Sequence, residues 1–187
     1  MSGRVRDPEA KRTALLDAAV VAFGEDGFVA TSTGVIAGRA GVSEGTVFHH
    51  FGSKHGLLEA VVEREVRGFV DTWLADASAT PIDWEAFVAA TFEWAGDHTM
   101  VTRVWSEQDD RVIGAMRRGM QRGVVPAITT AIEAGQGEGR HRAGDARWFA
   151  QSAFAVVGEA LMAGGGQGSG PNAAEVARIV AGIVDPD

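Results

Sequence analysis

Ser32-Thr-Gly-Val-Ile-Ala-Gly-Arg-Ala-Gly-Val-Ser-Glu-Gly-Thr-Val-Phe-His-His-Phe-Gly-Ser-Lys54 reads as two short helices joined by a tight turn, with a third helix opening at once. Ser32 is placed to cap the first, and Ile36, Ala37 and Ala40 give it an inward apolar face. Gly41 falls where the chain must leave that helix, and glycine alone takes positive φ without a steric penalty. Val42 is expected to plug the core, and Ser43 to cap the next helix by accepting orphan backbone N–H groups. There Val47 and Phe51 lie i, i+4 on one side, leaving Glu44, Gly45, Thr46, Phe48, His49 and His50 as a polar, partly aromatic outer face. A buried rear and an open polar front describe a helix-turn-helix whose second helix enters a DNA major groove.

Working outward, Pro8 suits a first helical turn. Leu15, Ala18, Ala19, Ala22 and Phe23 then form an amphipathic stripe that Gly24 and Gly27 are expected to end. From Lys54, the stripe Leu58, Val62, Phe69 and Trp73 predicts a long helix to about residue 77, broken by Thr80-Pro81. Further helices are expected over Ile82–Ala95 and Met100–Ser106, then from Asp109 or Asp110 through a Pro126 kink to a loop at Gly135–Gly144. Phe149, Ser152, Val156 and Ala160 mark a helix opened by Asp145. The run Gly164–Pro171 is expected to be a flexible connector. Asn172 with Glu175 is a capping pair for a last helix bearing Val176, Ile179, Val180 and Ile183. No strand alternation or repeat is legible, so the chain is predicted all-α.

The run from Arg12 to Leu58 resembles the DNA-binding region of the TetR family of bacterial transcriptional repressors. The matching words are Leu15-Leu16-Asp17-Ala18-Ala19, Phe23, Gly27-Phe28, Thr31-Ser32, Ile36-Ala37, Ala40-Gly41-Val42-Ser43, Gly45-Thr46, His50-Phe51 and Ser53-Lys54. They cover the first third of the chain in order and register, which outweighs any single short motif. The resemblance implies a three-helix head over residues 1–55 and a helical effector-binding and dimerisation body over 56–187. It departs from the family pattern at Phe48, where a phosphate-gripping tyrosine is usual, at Glu44, and at Gly34, where arginine is frequent. All three changes reduce general attraction for phosphate, although a carboxylate at 44 also suits a cytosine amino group.

A net charge of −8 sits oddly with DNA binding until it is divided. Six basic and six acidic side chains cancel over residues 1–55, so the whole deficit belongs to the body. An acidic body limits nonspecific attachment, and a neutral head still binds phosphate if its cations face one way. The chain has no cysteine, which removes disulfides and thiolate chemistry. It has no apolar run near the roughly 18 residues of a membrane span, and its N-terminus does not read as a secretory signal. A cytoplasmic protein without a membrane partner is expected.

The DNA-facing set read from this pattern is Thr33, Gly34, Ser43, Glu44, Gly45, Thr46, Phe48, His49, His50 and Lys54, with base and phosphate roles left open. Lys54 opens a helix, where the positive N-terminal dipole suits a phosphate. A metal site is not expected: His49 and His50 point about 100° apart on a helix, and neither has an acidic partner at i+4. The glycine runs after Gly135 and Gly164 lack the lysine of a nucleotide loop, and no cofactor is expected. In the body, the resemblance implies a small-molecule pocket, for which Trp73, Trp94, Met100, Arg103, Trp105, Met116 and Met120 are candidates, with Arg117, Arg118 or His98 as other polar handles. The last two helices are expected to pair across a two-fold axis.

The sequence thus predicts a ligand-responsive repressor that binds palindromic operator DNA as a homodimer, and not an enzyme. A helical enzyme with a DNA-binding-like head lacks any convergent nucleophile and base. An effector-free architectural binder sits poorly with the acidic body.

Overall fold

A computed structural model describes residues 7–77, 82–164 and 170–185. These residues are helical throughout, with no strand among them: α1 (Pro8–Ala30), α2 (Thr33–Arg39), α3 (Glu44–Phe51), α4 (Lys54–Ala77), α5 (Trp84–Asp97), α6 (Thr99–Trp105), α7 (Asp110–Gly137), α8 (Ala146–Met162) and α9 (Ala173–Val184). The expected break at Thr80-Pro81 lies outside the described residues, as does most of the Gly164–Pro171 connector.

The chain divides into two compact units, and the division does not follow the expected boundary at residue 55. One unit takes the chain up to Arg64 together with His98–Met120; the other takes Glu65–Asp97 and the chain from Gln121 onward. In the first, Leu15, Ala19 and Phe23 of α1, Ile36 of α2, Val47 of α3 and Leu57, Leu58, Val61 and Val62 of α4 are buried together with Val104 of α6 and Met116 of α7. Helix α6 joins this unit because it packs along α1, with Met100 in ordinary contact with Gly24. Arg118 closes the α4–α7 contact by bonding Glu59 through Nε at 2.7 Å and Nη2 at 2.6 Å.

Helix α1 runs farther than expected. Asp7 caps it by accepting from the Glu9 N–H, and Gly24 stays helical. The break comes at Gly27, with φ 82° and ψ 174°. The positive φ favours glycine there, and the Glu107 carboxylate lies close against it. That carboxylate accepts the Val29 N–H at 3.0 Å, holding the turn after the break.

In the second unit α5 packs on α9, and α9 on α8. Trp84, Phe87, Val88 and Phe92 are buried from α5, and Val176, Ala177, Val180 and Val184 from α9. Asn172 and Glu175 form the expected reciprocal capping box. Helix α7 runs unbroken through Pro126 and continues to Gly137, so the loop before α8 is shorter than the sequence implied. His141 in that loop is buried, and its Nδ1 lies 3.1 Å from Asp185 Oδ1.

The inward face of α8 is not the predicted Phe149–Ser152–Val156–Ala160 line. Of that line only Ala160 is buried, and Ala146, Ala150 and Ala153 join it, because small side chains allow the close approach to α9. The larger apolar groups are left outward, with Trp148 64% exposed and Ile179 of α9 56% exposed. Ile179 therefore leaves the predicted core of α9, and Val184 enters it.

Candidate nucleic-acid interface

The turn between α2 and α3 is built as its residues dictate. Ser32 Oγ accepts the Val35 N–H at 3.2 Å, and Gly41 takes φ 67°. Val42 is only half-buried, and the anchoring is left to Val47, which is fully enclosed. Ser43 holds the N-cap position of α3, but its hydroxyl makes no capping bond to the backbone. It lies 2.9 Å from the Thr46 hydroxyl instead, while its carbonyl accepts the Thr46 N–H. Phe51 is half-buried beneath the Arg12 guanidinium, which sits 5.3 Å from the ring centre.

Gly34, Ser43, Glu44, Gly45, Phe48 and His49 are exposed, while Thr46 and His50 are half-buried. Phe48 is 49% exposed, an aromatic ring on an otherwise polar front. Thr33 is buried, and its hydroxyl donates to Glu44 Oε1 at 2.5 Å. The Glu44 carboxylate is thus tethered across the α2–α3 turn. A Cβ on Gly34 would meet that carboxylate at an ordinary 3.7 Å.

Lys54 is a correction to the sequence reading. Its ammonium donates to the carbonyls of Phe28 and Thr31, each at 2.8 Å, and lies 4.3 Å from the Phe28 ring centre. Burial pushes its pKa below the usual lysine value, opposed by the Glu107 carboxylate. The helix dipole suggested a phosphate, but unsatisfied carbonyls at the end of α1 compete for the same charge and lie closer.

Two residues absent from the sequence-derived set belong beside it. Pro8 and Lys11, from the first turns of α1, line a cavity of 280 Å³ together with Ser43, Gly45, Thr46, His49 and His50. The signal was too faint to find in sequence, because Lys11 lies more than thirty positions before Ser43 and only the α1–α3 packing joins them. The His49 and His50 rings meet edge to face, 5.3 Å apart. Burial chiefly, then the charges of His49 and Arg12, holds the His50 imidazole below its ordinary range; Glu9 opposes this and Lys11 adds to it.

The candidate effector residues fall in both units. Met100 and Met116 are enclosed in the core of the first, Trp105 and Met120 are half-buried there, and Arg103 is exposed. Arg103 Nε stands 3.5 Å from the position of a Cβ on Gly27, against the end of α1. Of the other polar handles, Arg118 is engaged by Glu59, Arg117 is exposed and His98 occupies the N-cap position of α6 without a side-chain capping bond. In the second unit Trp94 stacks on Phe69 at 5.4 Å and Trp73 meets Phe87 edge to face at 4.8 Å. Among the described residues no group of three histidines or carboxylates is placed to hold a metal ion, and no helix is long and apolar enough to cross a membrane.

Residues 15–61 match the family model described as bacterial regulatory proteins, tetR family. Among curated proteins the chain is 35% identical over 104 residues to the HTH-type transcriptional regulator BetI of Paraburkholderia phymatum, covering 52% of each. It is 30% identical over 107 residues to BetI of Vibrio atlanticus, covering 54% of each. The chain therefore spans about half the length of the curated relatives it matches. Among solved structures it is similar to a TetR-family transcriptional regulator from Pectobacterium atrosepticum, with a TM-score of 0.63 and 28% identity over 96% of this chain and 94% of that one.

Proposed function

Since this chain belongs to the TetR family of bacterial regulatory proteins, we propose that it is a cytoplasmic, ligand-responsive repressor that binds a palindromic operator as a homodimer and is released by a small molecule. The observation that carries the reading is the build of α3. Val47 is fully enclosed behind it, while Ser43, Gly45, Phe48 and His49 stand in solvent on the side that a major groove would receive.

The dimer reading draws on the outward apolar groups of α8 and α9. Trp148, Ile179 and Met162 together leave more large apolar surface on these two helices than a solvated face needs. A two-fold pairing through them sets two recognition helices one DNA turn apart, which the two half-sites of a palindrome match. The effector candidates fall as two sets, Trp73 and Trp94 in one unit and Met100, Arg103, Trp105, Met116 and Met120 in the other, and the aromatic members of either suit an apolar or amphipathic molecule. Helix α4 is covalently common to head and body, so a shift of it on effector binding would alter the spacing of the heads.

Selection of duplexes from a random pool, followed by footprinting, tests this. Two protected half-sites in inverted orientation are expected. Protection of one asymmetric site by a monomer would sink the operator and dimer readings together.

A further inference from the structure

The cavity between the first turns of α1 and the outer face of α3 is lined by groups of one electrical character. Lys11 supplies an ammonium, His49 and His50 two imidazoles, and Ser43 and Thr46 two hydroxyls. Because one of those hydroxyls donates to the other, the pair keeps one proton for a ligand. Among the described residues no carboxylate lines the cavity. The nearest acidic candidate on α3, Glu44, is drawn off to the Thr33 hydroxyl. The volume is slightly below the roughly 300–1,000 Å³ of pockets that enclose drug-sized ligands, and suits a small tetrahedral anion with a few waters.

We propose that this cavity seats one backbone phosphate of bound DNA per chain, held by Lys11, His49 and a protonated His50, so that binding takes up a proton and tightens as the pH falls. The inference rests on the DNA-binding reading and deepens it. The groups facing His50 are His49 from α3 and Glu9, Lys11 and Arg12 from α1. Burial first, and then His49, Arg12 and Lys11 against the opposing Glu9, hold the imidazole below its ordinary range in the free chain. A phosphate among them reverses the balance, because an anion within a few ångströms favours the charged ring. Lys11 and the two imidazoles then act on the phosphate together, where in the free chain they act against one another. Phosphates carry no direct sequence information, so this proton uptake belongs to any duplex the head engages.

The test uses the full chain, a duplex selected from a random pool and a scrambled duplex of equal length. Affinities are read by fluorescence anisotropy from about pH 5.5 to about pH 8 at fixed ionic strength, the range in which imidazoles titrate. Affinity for both duplexes should fall as pH rises, by up to about tenfold per pH unit for each proton taken up. The H49N/H50N double variant should flatten that dependence. K11Q should weaken both duplexes alike and lower the salt slope by about one. Equal affinity at both ends of the pH range overturns the proposal while leaving DNA binding intact. So does a folded H49N/H50N variant that keeps the full dependence, or a K11Q chain with an unchanged salt slope. A pH dependence confined to the selected duplex assigns the imidazoles to bases and overturns the phosphate seat. Recovery of no duplex at any pH overturns the underlying DNA-binding reading itself.

Discussion

The Thr33 hydroxyl donates to the Glu44 carboxylate at 2.5 Å, joining the first residue of α2 to the first residue of α3 across the turn. Two residues read from sequence as separate DNA contacts are therefore one coupled pair. Glu44 stands in the first turn of α3, where a negative charge also favours the helix dipole.

Replacing Glu44 separates its structural part from its charge. Glu44→Gln keeps an acceptor for Thr33, so stability should hold while binding to a scrambled duplex tightens. Glu44→Ala also loses the bond and should cost about 1 kcal/mol in urea denaturation. If the carboxylate reads a cytosine amino group, both variants weaken a selected duplex by about 1–3 kcal/mol at one base pair. Equal tightening on both duplexes removes that role.

Phe48→Tyr places a hydroxyl on a ring already half in solvent, and leaves the Val47 anchor untouched. A new bond to phosphate is worth about 0.5–1.5 kcal/mol, so affinity should rise roughly two- to tenfold on selected and scrambled DNA alike. An anisotropy titration with no gain on either would put the Phe48 edge away from the backbone.

Lys54→Gln should destabilise the head by about 1.5–3 kcal/mol, since the Phe28 and Thr31 carbonyls lose a charged donor. Any duplex affinity that remains should keep its salt slope, because no phosphate contact is lost. A slope lower by about one, with stability unchanged, would return Lys54 to the DNA surface.

The free chain should lose stability on acidification through His50. Its folded pKa is lowered from 6.5, chiefly by burial, so the unfolded chain binds the proton more readily. Its contribution is fully present above 6.5 and is lost as the pH falls through the lowered folded value. Urea midpoints should therefore decline as the pH falls from 6.5 through the lowered folded value, and the decline should shrink in His50→Asn.

Charging the outward face of α8 and α9 tests the dimer. Trp148→Asp with Ile179→Asp touches no buried core position, so the monomer should stay helical. Sedimentation of the double variant should give a monomer with much weaker operator binding. A dimer of undiminished affinity would place the interface elsewhere.

Local features were legible because their causes are local. Ser32, Asp145 and Asn172 cap helices through side chains three residues from their backbone partners, and Gly41 sits in the turn that needs it. The spacing of Leu15, Ala19, Ala22 and Phe23 announces α1, since a 3.6-residue period is printed in the order of the side chains. Gly24 and Gly27 look alike in sequence. One stays helical in ordinary contact with Met100, while the other takes positive φ and breaks the helix beside Glu107.

By itself, then, the sequence determined an all-helical chain, the capped two-helix turn over residues 32–54 and the side chains along its front. Only the tertiary structure decided which of those side chains are free to act. It drew Lys54 onto the carbonyls of α1, tethered Glu44 to Thr33, and brought Lys11 to His49 and His50. The physical reason is range. Periodicity and capping act within a turn or two of chain, whereas a buried charge takes whichever partner the packing brings nearest, and sequence order does not record that.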